Sequence, residues 1–168
     1  EVVRYLAEEG LIKQKEGRWR PTRDTPLEMS IPEGLRDVIG KRLSLLSKEC
    51  NQLLSVASVI GREFRLEVLQ KVAGLSDEEL FKTLEEAKKA AVIEERAGVG
   101  AAVSYRFAHA FFQQTLYEEI SAPRRIRLHQ QVARALEELY TGRLEEHAAE
   151  LAEHFSHSSD SSDLAKAV

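Results

Sequence analysis

Along most of this chain apolar residues recur at intervals of three and four, and in one stretch, 92 to 107, they switch to alternation with polar residues. The first spacing lines up one face of a helix and the second one face of a strand. A chain patterned this way is expected to fold as a packed set of helices with little strand. Punctuation sharpens the expectation. Ser30-Ile31-Pro32-Glu33 and Ser76-Asp77-Glu78-Glu79 both read as capping boxes, in which the serine accepts from the amide three residues on and the glutamate reaches back to the serine amide. Gly10, Gly61, Gly74 and Gly142 read as stops.

An opening helix over about residues 1 to 9 is followed by a short hairpin signal at 11 to 20, with Gly17 as its turn residue. Pro21, Thr22, Asp24, Thr25 and Pro26 then mark residues 21 to 29 as a linker. The next helix carries the stripe Leu35, Val38, Ile39, Leu43, Leu46, and Ser47 caps another whose Leu53, Leu54, Val56, Ala57 and Ile60 leave it apolar nearly all round. Phe64 and Leu66 to Leu69 form a third helix, and Leu80, Phe81, Leu84, Ala87 and Ala91 line the one launched by Ser76. Two strands, 92 to 96 and 103 to 107, flank the tip 97 to 102. Helices followed by a hairpin are the order of a winged helix, the hairpin being the wing. A further helix at about 109 to 120 packs through Phe112, Leu116 and Ile120. Beyond it a long helix with Leu128, Val132, Ala135, Leu136 and Leu139 inward, and a partner carrying Leu144, Ala148, Leu151, Ala152 and Phe155, make an antiparallel pair resembling one unit of a TPR-like solenoid. The fold class is therefore mainly α.

Composition excludes several functions. The 168 residues carry 24 basic and 28 acidic side chains, a formal net charge of -4, so no overall positive field exists to hold a polyanion. The winged-helix recognition helix, Ser76 to about Ala90, sets five acids against three lysines, a net of -2 on the surface that should meet phosphates. DNA binding is disfavoured accordingly. No apolar run approaches a membrane span of about 18 residues, and no leader opens the chain, so a soluble, cytoplasmic protein without a membrane partner is expected. Cys50 is the single cysteine, which fits a reducing compartment, and a helix-packed, unreactive thiol is expected there. Both termini fall inside helical runs, as in a piece cut from a longer chain.

No catalytic constellation is found. Gly34 to Arg42 superficially resembles a phosphate loop, but five residues separate its glycines instead of four, and Arg42 stands where a Mg²⁺-binding Ser or Thr is needed. His147, Glu150 and His154 share a helical face, and His154 and His157 are three apart, spacings a metal ion can use. Solvated surface histidines are the expectation, with no metal site and no enzyme activity.

Several stretches together resemble the region after the nucleotide-binding domain of STAND signalling ATPases, particularly bacterial predicted ATPases attached to adenylate cyclase or transcription-regulator modules. They are Ile31 to Ile39 with Lys41-Arg42-Leu43, Val56 to Phe64, Tyr105 to Ala110 through Leu116-Tyr117-Glu118, Arg127-Leu128-His129, and His147 to Ala152. The resemblance implies that residues 1 to 29 end the ATPase helical lid with its linker, 30 to 120 are the winged-helix arm, and 121 to 168 begin TPR-like repeats. It implies a non-catalytic regulatory and scaffold segment, with an upstream NTPase domain of the same chain and a protein effector on the repeats as partners. ATP or ADP with Mg²⁺ would be held by the parent and no cofactor by the segment itself. In related NB-ARC proteins the histidine of a Met-His-Asp signature touches the β-phosphate of ADP. Ala108-His109-Ala110 occupies a similar place, so only His109 carries over as a phosphate sensor. A histidine that merely starts a helix and packs locally is the plain alternative. An autonomous TPR-like interaction module and a DNA-binding winged helix are the competing functional readings.

Overall fold

The computed structural model describes residues 12–15, 18–21, 33–97, 103–142 and 144–157. The chain divides into two compact units, residues 1–31 and 32–168. In the first, β1 (Ile12–Lys15) pairs antiparallel with β2 (Arg18–Pro21), Ile12 facing Pro21 and Lys15 facing Arg18. The opening helix, Gly17, the linker after Pro21 and the first capping serine, Ser30, lie outside the described residues.

The second unit opens with α1 (Glu33–Ser44) and α2 (Lys48–Ile60). Ser47 caps α2, its Oγ accepting from the Cys50 amide at 3.1 Å while donating to Glu86 at 2.8 Å. Because α2 is apolar on nearly every side, it is the buried central helix. β3 (Glu63–Arg65) and α3 (Leu66–Ala73) follow, and α3 ends at Gly74, whose left-handed φ of 64° needs no strain without a Cβ. The Ser76–Glu79 capping box opens α4 (Asp77–Lys89), with both reciprocal bonds formed. α4 closes on Ala91, which takes the left-handed conformation (φ 53°) so that the Val92 amide reaches the Ala87 carbonyl at 3.0 Å. β4 (Ile93–Ala97) and β5 (Val103–Phe107) form the hairpin, α5 (Ala110–Glu118) follows, and α6 (Ala122–Leu139) leads through a 3₁₀ turn (Leu144–His147) to α7 (Ala148–Ser156).

The described residues of the second unit are mainly helical, with a small three-stranded antiparallel sheet of order β3-β5-β4. Phe64 is not a helical residue, as its neighbours implied. It faces Tyr105 across the ladder, and its ring lies 6.0 Å from Tyr105 and 5.5 Å from Phe107. Three residues alternating exposed, buried, exposed are too few to register as a strand beside the helical run that follows. Helix, strand, two helices and a hairpin, with β5 central, give the winged-helix-like order α2-β3-α3-α4-β4-β5.

Five expected core positions also move, since Val38, Phe81, Ala91, Leu144 and Ala148 are all exposed. Ile39 and Leu43 on α1 and Leu46 just after it are buried but Val38 is 49% exposed, because α1 packs mainly on α5 and a helix packed chiefly on one side buries a narrow stripe. On α4, Leu80, Leu84 and Ala87 face α2, leaving Phe81 50% exposed. Leu144 sits in the 3₁₀ turn, out of phase with α7, and is exposed. The long helix is no free-standing half of a repeat: α6 packs on α2 and α3 as well as on α7, so the helix pair and the sheet share one core.

Candidate functional site

His109 starts α5. Its backbone is extended and its Nδ1 accepts from the Phe111 amide at 3.3 Å, so the ring caps the helix and the proton of the neutral imidazole resides on Nε2. Burial, then the nearby Arg62 cation, lowers its pKa, which keeps the ring neutral at pH 7. An Nε2–H donor beside an arginine suits an anionic oxygen.

The surface of α4 and the hairpin is chemically different. Lys88 on α4 is held by Glu85 and Glu95, both at 2.7 Å, and Arg106 on the wing is held by Glu94 at 3.0 Å. These cations are already neutralised within the protein, which adds to the acidic balance of α4 against a groove-reading role.

Cys50 is fully buried and its thiol is pushed up to about 12, first by burial and then by Glu86, so it is an inert packed thiol. Among the described residues no three His, Cys, Asp or Glu side chains come together to hold a metal ion. No helix among them is long and apolar enough to cross a membrane.

His154 overturns the expectation of a solvated ring, whereas His157 is exposed. His129 and His154 are 4% and 2% exposed, and their Nδ1 atoms lie 2.9 Å apart across the α6–α7 contact. The Tyr117 hydroxyl meets His129 Nε2 at 3.0 Å, and His157 stacks on His129 with centroids 4.3 Å apart. His147 pairs with Glu150 at 3.3 Å and stacks on Tyr140. The shared helical face of His147, Glu150 and His154 therefore does not assemble: His154 turns to α6. The missing signal was long-range, since nothing in the local spacing of His154 reveals a partner 25 residues away.

A second polar junction ties α6 to the sheet. Arg65 Nη1 donates to the Tyr140 hydroxyl at 2.7 Å, and that hydroxyl donates to Glu67 at 2.9 Å. Lys71 on α3 pairs with Glu138 at 2.5 Å. Together these contacts fasten the C-terminal end of α6 to β3 and α3.

Comparison of the chain with family models, curated proteins and solved structures finds no match in any of the three.

Proposed function

We propose that this chain is a non-catalytic regulatory and scaffold segment of a STAND-type signalling ATPase, coupling the nucleotide state of an upstream NTPase domain to a downstream repeat sensor or effector. The observation that supports it is the continuity of the body. Only residues 119–121 separate α5 from α6, Ile120 among them is buried, and α6 is anchored on α2 and α3 while carrying α7. A displacement of the winged-helix-like body therefore carries the helix pair with it, which is the mechanical property a relay needs. His109 is the contact on the nucleotide side, its Nε2–H donating to a diphosphate oxygen of ADP in the closed parent.

A hydrogen bond to a charged oxygen contributes about 1.5–3 kcal/mol. A ligand shifts a conformational balance by at most its differential affinity, so losing this bond corresponds to roughly ten- to a hundred-fold in population. His109→Ala in the full-length parent is expected to release ADP faster by that factor and to raise basal signalling. The check is the ADP dissociation rate of parent and variant, with thermal melting of the corresponding 168-residue chains. Unchanged release rejects the sensor and leaves His109 as a helix cap.

A further inference from the structure

We propose that the buried His129–His154 pair is a pH-sensitive latch, which holds α7 on the body while the pair is neutral and lets it go when the pair is protonated.

The hydrogen-bond directions define the neutral state. The Ile60 backbone, at the end of α2, acts on the His154 ring as an acceptor that favours a proton there. With Nδ1 turned to His129, that proton sits on Nε2. His154 Nδ1 must then accept, so His129 Nδ1 carries the proton between the rings and His129 Nε2 accepts from the Tyr117 hydroxyl. All the donors point one way, from α5 through α6 and α7 to α2. One added proton can be taken only if the Tyr117 hydroxyl reverses. A second would put two N–H groups face to face at 2.9 Å.

The surroundings oppose even the first. Both rings are held well below the ordinary imidazole value, by burial first and then, for His129, by His154, His157 and Arg125, and for His154 by His157. Arg125 also lies 4.9 Å over the Tyr117 ring. Acids on the neighbouring elements are engaged elsewhere or exposed: Gln114 bonds Glu118 on α5, Lys71 pairs with Glu138 near the far end of α6, Tyr140 bonds Glu67 on α3, His147 bonds Glu150, and Glu153 on α7 faces solvent. The charged groups that act on the pair are His157 and Arg125, with no carboxylate among them.

The sign follows from these directions. With docked values depressed below the undocked value near 6.5, undocked α7 takes up protons first as pH falls. Docking is at full strength above about pH 6.5 and is lost progressively below it, by about ten-fold per pH unit for each proton taken up. The contacts of the far end of α6 to β3 and α3, through Tyr140 with Arg65 and Glu67 and through Glu138 with Lys71, involve neither histidine of the pair and persist to lower pH.

The test is hydrogen exchange on the 168-residue chain between pH 7.5 and 4.5, with rates corrected for their intrinsic pH dependence. Protection at 148–156 is expected to fall about ten- to a hundred-fold per unit below pH 6, while α2 and α4 keep theirs. In His154→Gln the amide keeps an acceptor for His129 and a donor for Ile60 but takes no proton, so the pH slope at α7 becomes shallower. Should that variant fold poorly, ring titration of the wild-type histidines by NMR decides: His129 and His154 are expected to stay neutral while α7 is docked. Parallel loss of protection in α2, α4 and α7, a flat profile at α7, or either ring titrating at or above 6.5 overturns the proposal.

Discussion

A chain ending at Ile120 is expected to lose cooperative unfolding, although it keeps every strand of the sheet. α2 is buried on nearly every side, and one of those sides is α6, which also covers α3. Leu128, Val132 and Leu136 on α6, with Leu151 and Phe155 on α7, are all buried. Each such side chain contributes about 1.5–3 kcal/mol relative to exposure, so the truncation removes burial on the order of 10 kcal/mol. Part is offset because the deleted residues need no ordering. The remainder is still comparable to the ~5–15 kcal/mol net stability of a whole domain. Urea unfolding followed by circular dichroism checks this. A steep two-state transition with a midpoint near that of the intact chain would show instead that 121–168 is a separable repeat unit resting on an independent winged-helix arm.

Phe107→Ala is expected to cost about 3–5 kcal/mol, the range for deleting a large aromatic side chain from a core that collapses only partly. Phe107 is fully buried on β5, the central strand, and its ring is tilted against Phe64 with centroids 5.5 Å apart. The backbone around it is equally committed: its amide donates to the Arg62 carbonyl at 3.0 Å, and its partner across the ladder is Ile93, itself buried. The cavity therefore opens where β3, β4 and β5 meet. Thermal or urea denaturation measures the loss. A change under about 1.5 kcal/mol would mean that Phe64 and Ile93 repack into the space, and that this junction is looser than its burial indicates.

Local chemistry accounts for what could be read from the residues alone. Ser47, Ser76 with Glu79, and Gly74 act within a few residues, so their signals lie in the neighbouring sequence. The wing was visible because Val103, Tyr105 and Phe107 alternate with polar residues. Ala91 was invisible: its left-handed φ is imposed by the turn from α4 into β4, with no glycine or asparagine to announce it. Val38 and Phe81 show that an apolar stripe says which residues can face inward, while the number of neighbouring helices determines how many do. The candidate site divides the same way. His109 was legible as a helix-start residue, whereas the His129–His154 contact depends on α6 and α7 docking and has no local signature.

The strand order has a consequence for how the chain reaches this structure. β4 and β5 are close in sequence and can zip locally, but β3 pairs with β5 only after the chain has passed through α3, α4 and β4. Closing that longer loop costs more entropy before any ladder bond forms. β3 is therefore expected to join late, after the hairpin and the helices around α2. Refolding kinetics of variants at Phe64 should then show the loss of stability mainly as faster unfolding, with the folding rate little changed; a matching slowdown in folding would place β3 in the nucleus instead.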